Sequence, residues 1–174
     1  MNLEKNIFDT VKEWELKIGY RREDIRLYYP EEFLLELLGT ETMGLQEEID
    51  RFCHEMYKNL GRVEIEETEE KGRYCIKVSS EVVEYIHKNI PENVFLKTLL
   101  TVITTPGKKL EDALAVFKKF SEDVEIEKIK KHEWAVSFTD PGIDPYVYYM
   151  DEDDFGLEYH RFTKEAYSRL SEAI

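Results

Sequence analysis

The sequence predicts an α+β protein made of two similar halves, each combining helices with β-hairpins. Three observations carry that expectation. A helix-then-hairpin phrase occurs twice, with Val63-Glu64-Ile65-Glu66 echoed by Val124-Glu125-Ile126-Glu127. Both copies alternate apolar and polar residues with period two, the pattern of a half-buried strand. Pro91 interrupts the chain between them, giving halves of 1–90 and 91–174. A chain of 174 residues accommodates this, because its core is large enough to need no staples.

The elements follow in order. Leu3, Ile7, Val11, Trp14 and Ile18 recur at helical spacing, with Asn2 placed to cap and Gly19 just beyond, so residues 3–18 form a helix. Ile25, Leu27 and Tyr29 alternate as a short strand. Pro30 then opens a second helix, with Glu31 and Glu32 in the first turn where carboxylates suit the helix dipole, and Gly39 ends it. After a turn at 40–44, Leu45, Ile49, Phe52, Cys53, Met56 and Leu60 define a third helix closed by Gly61. The first hairpin sets Val63 and Ile65 against Tyr74, Ile76 and Val78 and bends at 69–72. Ser79 or Ser80 caps a fourth helix carrying Val83, Ile86 and Ile90.

In the second half, Val94, Phe95, Leu99, Val102 and Ile103 form an apolar helix that stops at Thr104-Thr105-Pro106-Gly107. Leu110, Ala113, Leu114, Phe117 and Phe120 form another. Val124 and Ile126 oppose Trp134, Val136 and Phe138 in the second hairpin, and a turn-rich segment fills 140–145. A further strand pair, Tyr146–Met150 and Leu157–Phe162, bends at Asp151-Glu152-Asp153-Asp154-Phe155-Gly156, and Thr163 caps a last helix.

The order over residues 3–78, helix, strand, helix, turn, helix, hairpin, resembles that of winged-helix domains. Leu60-Gly61-Arg62-Val63-Glu64-Ile65, Gly72-Arg73-Tyr74 and Ser79-Ser80-Glu81 are similar to the segment after a winged-helix recognition helix. Residues 92–139 resemble a degraded second copy without a first strand. The fold expectation is therefore two winged-helix-like halves packed together, the second with an extra hairpin and a C-terminal helix. The opening Asn2-Leu3-Glu4-Lys5 and the stretch Trp14-Glu15-Leu16-Lys17-Ile18-Gly19-Tyr20-Arg21 resemble a small family of uncharacterised bacterial proteins, a domain of unknown function from anaerobic Gram-positive bacteria. That resemblance implies no activity.

Charge bears on function. The formal net charge is −14, about −8 in residues 1–90 and about −6 in 91–174. A field of that sign repels polyanions at long range. Winged-helix regulators usually send the third helix into the major groove. Here that helix begins Leu45-Gln46-Glu47-Glu48-Ile49-Asp50, which would set three carboxylates against phosphates, and the wing carries Glu64, Glu66, Glu67, Glu69 and Glu70. The second half is less hostile. Lys118, Lys119, Lys128, Lys130 and Lys131 are its candidates for contacting nucleic acid, although interleaved acids leave residues 107–132 at about +1, the mark of a solvated face.

Motifs for chemistry are missing. The chain has no phosphate-binding glycine loop, no Cys-x-x-Cys and no His-Glu-x-x-His, and its four histidines stand singly. No catalytic residue and no cofactor is expected. Cys53 lies on an apolar stripe, and adjacent His54 points about 100° away, so the two do not form a nucleophile–base pair. Asp151, Asp153 and Asp154 are weak metal candidates. A calcium loop of the EF-hand type fails there, with Phe155 fifth and Phe162 twelfth, and turn chemistry accounts for the aspartates. Tyr146, Tyr148, Tyr149 and Phe155 gather aromatics on one strand pair and are the candidate partner-binding residues.

The N-terminal residues lack the basic and apolar regions of a signal peptide, and no apolar run approaches a membrane span, so a cytoplasmic protein with free thiols is expected. The functional expectation is a non-enzymatic interaction module that binds a protein partner or itself. A nucleic-acid-binding regulator using the second-half lysines is the alternative.

Overall fold

The computed structural model describes residues 1–173, and the chain divides into two compact units, Met1–Glu92 and the part from Asn93 onward. Helices and two antiparallel sheets make it an α+β protein.

In the first unit, α1 (Leu3–Ile18) forms where Asn2 accepts a hydrogen bond from the Lys5 amide at 2.9 Å. Its Leu3, Ile7 and Val11 point into the core. After β1 (Ile25–Pro30), α2 (Glu31–Leu38) begins directly. Pro30 is the last residue of β1 and precedes the helix in extended conformation, rather than occupying its first turn. Gly39, at φ 66°, closes α2 in the left-handed conformation, which favours glycine. A 3-10 turn at Thr42–Gly44 leads into α3 (Leu45–Asn59).

The hairpin β2 (Val63–Glu67) and β3 (Arg73–Val78) follows, with β1 on the other side of β3. The register aligns Leu27, Ile76 and Ile65 in one buried row. Cross-strand pairs of this kind stabilise a sheet and fix its register, since a one-residue slip would turn the row to solvent. The last helix of the unit, α4 (Ser80–Asn89), is not capped by a serine side chain as expected. Asp24, just before β1, accepts from the Ser80 amide at 2.9 Å. A carboxylate does this better than a hydroxyl because its charge also meets the helix dipole.

The second unit starts with α5 (Val94–Ile103) and α6 (Leu110–Phe120), then a meander of β4 (Val124–Lys130), β5 (Glu133–Phe138), β6 (Tyr146–Glu152) and β7 (Leu157–Thr163), and ends in α7 (Lys164–Glu172). The likeness between the halves stops at helix-then-hairpin. β3 takes its second neighbour from a strand before the hairpin, whereas β5 takes β6 from after it.

Aromatic rings form this core. Phe95 of α5 meets Phe117 of α6 at 4.8 Å and Phe138 of β5 at 4.8 Å, both edge to face, and Tyr148 of β6 stands 5.6 Å from Phe95. Such geometry adds about 0.5–1.5 kcal/mol per pair beyond the buried area. Helix α7 packs against β6 and β7, and Ala135, Ser137 and Val147 are buried on the strand face that Tyr167 and Ser168 of α7 adjoin. β4 is an edge strand, so Ile126, expected to face inward, is 46% exposed.

One buried carboxylate joins these parts. Asp144 is 1% exposed. Its Oδ1 accepts from the Tyr146 amide at 3.0 Å, and its Oδ2 accepts from the Tyr148 hydroxyl at 2.9 Å and Asn93 Nδ2 at 3.2 Å. Asn93 Oδ1 in turn accepts from the Leu96 amide and caps α5. Burial raises the Asp144 carboxyl above its ordinary range, while the three donors and the charge of Arg161 pull it back.

Truncating Leu34 or Ile76 to Ala costs about 2–5 kcal/mol, and Phe117→Ala about 3–5 kcal/mol, in chemical denaturation, while exposed Glu69→Ala stays within about 0.5 kcal/mol. Because the Asp144 pKa is raised in the folded state, its contribution is full below the unfolded value of about 3.9 and is lost as pH rises through the folded value. The stability of the wild type relative to Asp144→Asn, measured by urea unfolding across acidic pH, therefore falls with rising pH; a difference that grows contradicts the linkage.

Candidate functional site

The residues expected to meet a partner converge on β6 and its turn, and the structure divides them. Tyr146 is 3% and Tyr148 0% exposed, so these two are core residues and not surface anchors. The reason is position: β6 is a central strand covered on both faces, so period-two alternation exposes neither set. Tyr148 packs among Phe95 and Phe117, and Arg161 stacks over the Tyr146 ring at 4.2 Å. Tyr149 is half-buried, and its hydroxyl donates to Glu133, which pushes its pKa up to about 12. Phe155 is the exception: it stands 88% exposed at the tip of the β6–β7 turn.

That tip is held from below. Asp153 Oδ1 accepts from the amides of Phe155 at 2.7 Å and Gly156 at 2.9 Å, and the Asp153 amide donates to the Gly156 carbonyl at 3.0 Å. Glu152 turns inward: its Oε2 accepts from the Leu110 amide at 2.8 Å at the start of α6, and its own amide donates to the His132 carbonyl at 2.8 Å. These bonds fix the turn to a helix end and to the neighbouring hairpin. Asp151 and Asp154 remain exposed around Phe155.

Of the three metal candidates, Asp153 is engaged by backbone amides of the turn, while Asp151 and Asp154 are exposed. Among the described residues no group of three or more His, Cys, Asp or Glu side chains is placed to hold a metal ion. Cys53 and Cys75 are free thiols. Burial pushes Cys53 up to about 11, which leaves little thiolate for nucleophilic work. His87 stacks on Tyr20 at 3.7 Å with Nδ1 3.2 Å from Glu15.

The five candidate lysines are spread over the end of α6, β4 and the β4–β5 turn. Lys130 and Lys131, with Lys109 and His132, line a recess of about 550 Å³ whose other wall is Asp151, Asp153 and Asp154. Lys130 Nζ lies 3.8 Å from Glu133. Lys118 and Lys119 end α6, whose start is tied to Glu152, so they lie about 12 Å further along the helix axis. Lys128 is exposed on the edge strand between Glu127 and the Lys130 end. In the first unit, Glu47 and Asp50 on α3 are exposed, and Arg51 is held by Glu48 at 2.6 Å and Glu47 at 3.6 Å.

Four features have no local signature in the sequence: the Asp24 cap of α4, the Asp144 hub, the Glu152 cap of α6, and a groove along α3. An aspartate beside a proline reads as a turn, and nothing local marks Asp144 as buried. Glu152 caps a helix some forty residues away, which no local pattern records.

No helix among the described residues is long and apolar enough to cross a membrane. No curated protein and no solved structure matches the chain. A family model does match, over residues 1–171, and its description reads "Domain of unknown function, E. rectale Gene description (DUF3877)". With nearly its whole length matched, the chain belongs to this DUF3877 family of unknown function.

Proposed function

We propose that this protein is a non-enzymatic interaction module whose β6–β7 tip inserts into a partner protein. The observation that carries this reading is Phe155, 88% exposed on a turn tied down by Asp153 and Glu152. A large apolar ring held in water at a preorganised position loses little entropy on binding, and such aromatic anchors dominate interface energies. Asp151, Asp153 and Asp154 surround it, so the complementary surface is an apolar pocket with a basic rim.

The first unit supports the same reading as scaffold. Its order, α1, β1, α2, α3, β2, β3, with β1 and β2 flanking β3, supports a winged-helix-like interpretation. The face of α3 that such a domain would offer to DNA carries Glu47, Glu48 and Asp50. The scatter of the five second-half lysines, and the carboxylates opposite Lys130 and Lys131, favour a protein partner over nucleic acid.

Phe155→Ala weakens capture of the partner by about tenfold or more, while the thermal midpoint stays within about 1 °C because the side chain contacts solvent. Duplex DNA binding at low salt that falls steeply with added salt, and is abolished when Lys118, Lys119, Lys130 and Lys131 become Glu, overturns the proposal in favour of a nucleic-acid regulator.

A further inference from the structure

A second surface lies in the first unit, on an element the hairpin tip does not involve. Along α3, Glu48, Arg51, Phe52, Glu55, Met56 and Asn59 face a groove of about 290 Å³ closed by the start of α1 and the end of α2. Glu48 to Asn59 spans eleven helical steps, about 16 Å or three turns. The floor is apolar: Leu3, Leu37 and Met56 are buried, and Leu38 and Phe52 are half-exposed.

The rim is acidic. Arg51, the cation of the groove, is already engaged by Glu48 and Glu47. Glu4 and Glu55 are exposed, and neither pairs with a cation among the described residues. The net result is a trough three turns long, apolar at its floor and polar along its rim, with two uncompensated carboxylates beside it.

We propose that this groove is a docking site for a basic amphipathic helix of a partner protein. Length and chemistry select that occupant. A helix laid in a groove presents apolar anchors at i, i+3 or i+4, and i+7, a spacing that covers three turns. Lysine or arginine beside those anchors meets Glu4 and Glu55. A second copy of this chain is disfavoured by its net charge of −14, and nucleic acid by the same sign. The open trough also suits an extended partner better than a small enclosed ligand.

The test titrates the full-length protein with two synthetic peptides of about 15 residues that share a leucine stripe and differ in having lysine or glutamate elsewhere. Amide shifts in ¹⁵N-resolved spectra report the location. The lysine peptide shifts Leu38, Phe52 and Met56 and their neighbours, and the glutamate peptide does not. Phe52→Ala, or Glu4→Lys with Glu55→Lys, weakens lysine-peptide binding by about tenfold or more, about 1.4 kcal/mol. Phe155→Ala leaves it unchanged, so failure here and failure of the hairpin-tip reading are separable. Circular dichroism confirms that each variant folds.

Four results overturn the inference. They are equal binding of both peptides, shifts spread over other acidic surfaces, shifts of the same amides with protein concentration alone, and localised shifts with hexylamine but not with the lysine peptide.

Discussion

Asp144 shows what the second unit depends on. An ionised carboxylate without partners in an apolar interior is costly enough that a chain either satisfies it or keeps it in water. Here one side chain gathers an amide from the start of β6, the hydroxyl of Tyr148 within β6, and the amide group of Asn93, which itself caps α5. The start of the first helix and the start of the central strand are thereby held to one point. With that point set, Tyr146 and Tyr148 are committed to the core, and β6 runs on to the exposed β6–β7 turn. The turn at its tip is tied to α6 through Glu152, and what remains free is Phe155.

Much of the architecture was legible because it is local. Period-two alternation located every strand, helical spacing and caps located the helices, and Asn2 and Thr163 cap as expected, with Thr163 accepting from the Ala166 amide at 3.2 Å. The errors have a common cause, which is that burial is a property of neighbours. The same alternation that describes an edge strand describes a central one, so the sequence alone placed Ile126 inward and left the β6 tyrosines as surface candidates. The first lies on the edge of the sheet and is half in water; the second set lies in the middle. Likewise Asp24 and Glu152 cap helices across long stretches of chain, where a local reading looked to Ser79 or Ser80 or saw only a turn.

The candidate site was legible in part. Its place, the acidic aromatic turn after β6, followed from composition; its anchor, Phe155, was one of four named residues, and only the packing of the sheet isolates it. The acidity of α3 was evident from residues 45–50, but the trough beside it needs the ends of α1 and α2 brought against Phe52 and Met56, which sequence spacing does not report. Both surfaces pair an apolar centre with carboxylates. The two proposed occupants differ in shape: an apolar pocket with a basic rim for the tip, and a basic amphipathic helix for the trough.

The claim that Phe155 contacts a protein is tested most directly by placing a photoreactive phenylalanine analogue at position 155 and irradiating cells that naturally make the protein, with the analogue at exposed Thr139 as control. The account predicts one discrete protein adduct from position 155, absent from position 139 and lost when Asp151 and Asp154 are changed to Lys. Adducts to nucleic acid, or the same adducts from both positions, would contradict it.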